Sequence, residues 1–150
     1  MIEFSIVDLM DEQKCYNFLV SLLHPNGLGC PRCHTLVAPA RVHRQDRAPV
    51  LYYRCPCGCI YNAFAGTVWQ GTHHSCSMIL RILQGITQGV TTLHLAKELG
   101  LDRKHLLERR HHIQALAVQA SPRTVYPDSV VEADELYQNA GEKRHSASRS

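Results

Sequence analysis

The sequence predicts a small α+β protein: a helix, a short β module built around two cysteine knuckles, a helical module, and a lone strand. Three observations predict it. Five of the seven cysteines fall within residues 30–59, in two tight clusters. Apolar residues recur at spacings of three and four on both sides of that segment, as in helices that bury one face. Between the clusters lie prolines and a run of β-formers, Val50-Leu51-Tyr52-Tyr53-Arg54, without helical periodicity.

The first helix is expected within residues 5–23. Ile6, Leu9 and Met10, then Cys15, Phe18, Leu19, Leu22 and Leu23, make its apolar face. Ser5 or Asp11 would cap it, or would cap a pair of helices, and His24-Pro25-Asn26-Gly27 would end it. Residues 1–27 thus form an N-terminal segment and 28–72 the β module. Residues 73–120 return to helix periodicity. Ile79, Ile82, Leu83 and Ile86 share one face, and Gly89 stops the run. Thr92 to Leu99 forms a shorter stretch closed by Gly100. Asp102 caps a third stretch reaching about Gln119, with Leu106, Leu107, Ile113 and Leu116 inward. Residues 121–129 read as a proline-bearing linker. Residues 130–150 begin with a strand, Val130 to Tyr137, and end in a polar, Ser-rich tail.

Charge is uneven along the chain. The total of +3 divides into −3 over residues 1–31, +8 over 32–123 and −2 over 124–150. A basic centre between acidic ends fits a nucleic-acid-binding surface as well as an ordinary solvated basic face. No apolar run approaches the ~20 residues that span a bilayer. The acidic N-terminus lacks the basic start of a signal peptide. A reducing cytoplasm is therefore expected, where a disulfide framework is not. A hydrophobic content of 45% argues against global disorder.

Cys30-Pro31-Arg32-Cys33 has the spacing with which two thiolates grip one ion. Cys55-Pro56-Cys57-Gly58-Cys59 follows about twenty residues later. Four thiolates from two such knuckles describe a zinc ribbon, with a structural Zn²⁺ that is tetrahedral, closed and redox-inert. A rubredoxin-type iron site has similar spacing. Three thiols compete for two places in the second cluster. Spacing favours Cys55 with Cys59, because Cys55 with Cys57 leaves only one residue between ligands. His34 is a candidate substitute ligand but, placed next to Cys33, reads more simply as a surface residue, and Cys15 and Cys76 read as small core residues.

Val90 to Lys104 reads as helix-turn-helix: a short helix, a glycine turn and a second, basic helix. In that motif the second helix enters the major groove of DNA. The candidate DNA contacts are Arg103, Lys104, His105, Arg109 and Arg110.

Together these stretches resemble the zinc-ribbon insertion-sequence transposases of the DDE class. The residues that carry the resemblance begin with Leu23-His24-Pro25-Asn26-Gly27 leading into Cys30-Pro31-Arg32-Cys33. They continue with Tyr53-Arg54-Cys55 through Tyr61-Asn62, Gly66-Thr67-Val68-Trp69 and Gln70-Gly71-Thr72. The helix-turn-helix follows, and then Val131-Glu132-Ala133-Asp134-Glu135-Leu136-Tyr137 and Gly141-Glu142-Lys143. The family's second knuckle reads CxxC. Aligned backward from Gly66-Thr67, the resemblance points to Cys57 as the fourth ligand, so Cys57 and Cys59 both stay open.

The resemblance implies an RNase H-like catalytic domain whose first strand carries Asp134 as the first acidic residue. It implies two-metal strand cleavage and transfer, with Mg²⁺ ions about 4 Å apart held by further acids on later strands. After Asp134 the chain holds only Glu135 and Glu142. The expectation is therefore the N-terminal portion of a transposase, truncated at the start of its catalytic domain and catalytically incomplete. It would bind double-stranded DNA, the element's terminal inverted repeats, in the cytoplasm and with the nucleoid. A homo-oligomer is left open for a full-length form, and no membrane association is expected. The alternative is a zinc-ribbon/helix-turn-helix transcriptional regulator. A third reading is a zinc-stabilised adaptor that binds protein.

Overall fold

Asp11 sets the start of the first helix. Its backbone is extended, and its carboxylate accepts from the N–H groups of Gln13 at 3.0 Å and Lys14 at 3.2 Å. A computed structural model of the chain describes residues 4–37 and 40–121. Helix α1 spans Glu12–Leu23 and buries Cys15, Tyr16 and Leu19. The apolar residues before it do not extend that helix, because Asp8–Met10 makes a separate 3-10 turn. Ile6 and Met10, expected on the buried face, consequently stand exposed, Met10 at 88%.

The β module is a three-stranded antiparallel sheet in the order β1-β2-β3, formed by Arg41–Arg47, Val50–Arg54 and Ile60–Tyr61. Only β2 was expected from the sequence. Strand β1 is exposed along almost its whole length, and β3 has two residues, so neither shows an alternating apolar pattern. Arg41 lies opposite Arg54, Val42 opposite Tyr53 and Arg44 opposite Tyr52. On the far side of β2, Arg54 lies opposite Ile60 and Tyr53 opposite Tyr61. The Tyr53 and Tyr61 rings pack with centroids 5.8 Å apart.

Three helices follow, with the starts and stops that the sequence implies. Helix α2 spans Cys76–Thr87, with Ser75 Oγ accepting from the Met78 N–H at 3.2 Å, and gives way at Gly89. Helix α3 spans Thr92–Leu99, capped by Thr91, and ends at Gly100 in the left-handed region at φ 66°. Helix α4 spans Arg103–Ala120, and the Asp102 carboxylate accepts from the His105 N–H at 2.9 Å. Gly85 inside α2 makes room for α3. A Cβ there would sit 2.6 Å from Leu95 Cδ1. Helix α4 buries only Leu106; Leu107 and Ile113 are half-buried. Leu116, expected inward, is 42% exposed.

One apolar cluster joins α1, the β module and all three later helices, running from Cys15 and Leu19 through Phe64 and Trp69 to Ile79, Leu95 and Leu106. Polar contacts tie the ribbon to its neighbours as well. The Arg47 guanidinium donates to the carbonyls of Thr72 at 2.9 Å and His74 at 3.3 Å. His24 Nε2 lies 2.6 Å from the Ala63 carbonyl. The stretches read as 28–72 and 73–120 thus share one core. Among the described residues no helix is long and apolar enough to cross a membrane. The strand expected over 130–137, with Asp134, lies outside the described residues.

Candidate metal centre

Backbone hydrogen bonds shape each knuckle. At the first, the Cys30 N–H donates to the Thr35 carbonyl and the His34 N–H to the Cys30 carbonyl, each at 2.9 Å. The turn aims the Arg32 N–H at Cys30 Sγ, 3.4 Å away. His34 adopts φ 61°, a left-handed conformation that few non-glycine residues take but histidine tolerates better than most. At the second knuckle the Gly58 N–H donates to the Cys55 carbonyl at 2.8 Å, and the Cys55 N–H to the Cys59 carbonyl at 2.9 Å. Gly58 reverses the chain at φ 87°.

These two turns bring four thiols together: Cys30, Cys33, Cys55 and Cys57, with all Sγ atoms within 4.8 Å of one another. Cys30 and Cys57 are 3.7 Å apart, and Cys33 and Cys55 are 3.4 Å apart. A tetrahedral zinc with Zn–S bonds of ~2.3 Å requires sulfurs about 3.8 Å apart, so the cluster fits the ion. Four soft sulfur donors and no open position suit a structural site. Cys30 and Cys55 are buried, while Cys33 and Cys57 are exposed.

Cys59, which spacing alone favoured, is not in that group. Its backbone carbonyl closes the turn and its Sγ lies 3.9 Å from the Ile60 carbonyl. Cys57 takes the fourth corner although one residue separates it from Cys55. The reversal at Gly58 brings Cys57 Sγ to the group, which a count of intervening residues does not register. His34 is exposed and outside the cluster, and Cys15 and Cys76 are buried in the core, as expected.

The thiols differ in acidity. The Thr35 hydroxyl, with the Thr35 backbone N–H and the Cys55 thiol, holds Cys33 down at about 6. At Cys55 the Cys57 N–H favours the thiolate, but burial and the thiols of Cys33, Cys57 and Cys30 outweigh it and push the group up to about 12. Without a cation the cluster keeps protons, because four adjacent thiolates repel. A divalent metal replaces those protons.

The basic residues of α4 divide into two groups. Arg103, Lys104 and His105 are exposed in its first turn, with His105 Nδ1 3.3 Å from Asp102 Oδ1. Arg109 and Arg110 are half-buried and turned onto their own chain. The Arg109 guanidinium donates to the Val68 carbonyl and lies 4.9 Å above the Trp69 ring. Arg110 donates to the Val90 carbonyl at 2.5 Å and to Thr92 Oγ1 at 3.4 Å. Both guanidiniums thus reach back to carbonyls of their own chain, which helical position alone does not reveal. A second basic group, Arg41, His43 and Arg44 on β1 with Arg54 on β2, was missed; its sequence signal is the Arg-rich run Arg41-Val42-His43-Arg44. Comparison of the chain with models of protein families, with curated proteins and with solved structures gives no match.

Proposed function

We propose that this chain is a zinc-stabilised double-stranded-DNA-binding module of the insertion-sequence transposase type. The observation that carries the reading is the exposed basic first turn of α4, Arg103-Lys104-His105. It follows a left-handed glycine turn and rests on a core shared with the cysteine cluster. Zinc would supply folding energy that so small a β module lacks. The rigid base would then hold the start of α4 where a recognition helix meets base edges. In the family, strand cleavage and transfer belong to an RNase H-like domain that uses Mg²⁺. Asp134 would be its first carboxylate here, on the resemblance alone.

The test is a mobility shift of the zinc-loaded chain with a duplex carrying the element's terminal inverted repeat, over a salt series. Phosphate contacts predict that the logarithm of affinity falls linearly with the logarithm of salt, by about 0.9 per contact. Preference for the repeat over a scrambled duplex of equal length would support the transposase reading over non-specific binding. A complex equally strong at high salt, or no complex, would sink it in favour of a protein-binding adaptor.

A further inference from the structure

We propose that the cross-strand pair Arg41 and Arg54, on the ribbon sheet beside the second knuckle, is a seat for a backbone phosphate of duplex DNA. This rests on the DNA-binding reading above and extends it from α4 to the ribbon.

The pair is unusual for a folded sheet. Arg41 of β1 and Arg54 of β2 are direct antiparallel partners, and residues so placed have Cβ atoms about 5 Å apart. Like charges at that position repel and destabilise the sheet. Both residues are exposed. Among the described residues neither guanidinium has a hydrogen-bond or acidic partner. The other two arginines of the sheet are occupied. Arg44 is ion-paired to Asp46 at 2.7 Å and stacked 4.2 Å over Tyr52, and Arg47 is bonded to the Thr72 and His74 carbonyls. Asp46 is the only acid in residues 28–72, so this part of the chain offers no other carboxylate for Arg41 and Arg54.

Two opposed guanidiniums with no partner among the described residues make a site for an anion supplied from outside. Arginine suits phosphate because its planar fork can donate two parallel hydrogen bonds. The surroundings admit a strand of nucleic acid. Arg41 and Arg54 line a groove with Cys55, Pro56 and Gly58. Gly58 leaves that side open, for even a Cβ built on it would meet nothing within 4 Å. Ile60 completes the row on the far side of Arg54 and is 49% exposed. A backbone phosphate between the guanidiniums would remove the repulsion, and its sugar could lie along Ile60. The contact carries no base information, so it would fix the position of the ribbon on the duplex and leave sequence readout to α4.

The experiment uses the full zinc-loaded chain and a short duplex of arbitrary sequence, read by fluorescence anisotropy over a salt series. The variants are Arg41→Gln/Arg54→Gln and, separately, Arg103→Gln/Lys104→Gln. The ribbon double variant should bind roughly tenfold more weakly at about 0.1 M salt, with a salt slope shallower by about one. It should keep its zinc and melt no lower than the unaltered chain, since it loses a like-charge pair. An unaltered chain that binds duplex while the ribbon variant matches it in affinity and slope overturns this site and leaves the DNA-binding reading intact. Failure of the unaltered chain to bind any duplex overturns both. Equal weakening of anionic phospholipid vesicle binding, without duplex binding, assigns the pair to a membrane surface and overturns the proposal. A loss of zinc or a lower melting point in the ribbon variant also overturns it, because the pair would then be structural.

Discussion

Glu12, the first residue of α1, caps a different helix: its Oε2 accepts from the Cys76 N–H at the start of α2, 2.9 Å away. Its Oε1 accepts from the Ser77 N–H at 3.2 Å and from the Ser77 hydroxyl. Sixty-odd residues separate these groups, and the whole β module lies between them in sequence. One carboxylate thus satisfies two orphan donors of α2, sits at the positive end of its dipole, and fixes how α1 crosses it.

Glu12→Ala should therefore destabilise the fold by about 1–2 kcal/mol, as the loss of a capping group does. Thermal unfolding followed by circular dichroism measures it. Glu12→Gln keeps one acceptor and should lose less. A melting point unchanged in both variants would contradict the capping role.

The fourth zinc ligand can be separated from its neighbour by two single substitutions. Cys57→Ser should weaken zinc binding at least ~100-fold, and Cys59→Ser should leave one tightly bound zinc per chain. Competition with a colorimetric chelator reads both. The reverse ranking would place Cys59 in the cluster.

Zinc affinity should fall with acid. Cys55, pushed up to about 12, keeps its proton through the neutral range and must release it on binding. Cys33, held at about 6, is already a thiolate above that pH and takes up a proton below it. The logarithm of affinity should rise with pH throughout, and more steeply, by about one proton, below about 6. A flat profile between about pH 5 and 8 would contradict this assignment.

Arg109 should behave as a packing residue. Trp69 is the single tryptophan of the chain and is 1% exposed beneath it, so its emission reports on the docking of α4. Arg109→Ala should shift that emission to longer wavelength and cost about 1–2 kcal/mol. Duplex affinity should change only as far as the folded fraction does. A large affinity loss with unchanged emission and stability would restore Arg109 to the DNA surface.

The helices were legible because their ends are chemical. Asp11, Ser75 and Thr91 offer side-chain acceptors, and Gly89 and Gly100 take left-handed conformations, whatever the rest of the chain does. Strand β1 was not legible, because an exposed strand with one neighbour need not alternate apolar and polar residues. The cysteine cluster was legible as a group but not to its last member. Spacing counts residues between Cys55, Cys57 and Cys59, whereas the sulfur positions depend on the reversal at Gly58. Arg103 and Arg109 look alike in the sequence. Only the position of Trp69 and the Val68 carbonyl separates an exposed cation from one folded onto its own chain.

The contacts from Arg47 to Thr72 and His74, and the apolar cluster of described residues that they flank, would link the fate of the helices to a metal held by the four cysteines. A chain deprived of zinc would loosen around Phe64 and Trp69 as well as at the knuckles. Such openings are what proteases capture, so the lifetime of the folded chain should depend on zinc supply. Limited proteolysis with and without a chelator shows this directly: cleavage within α2–α4 should accelerate when the metal is withdrawn.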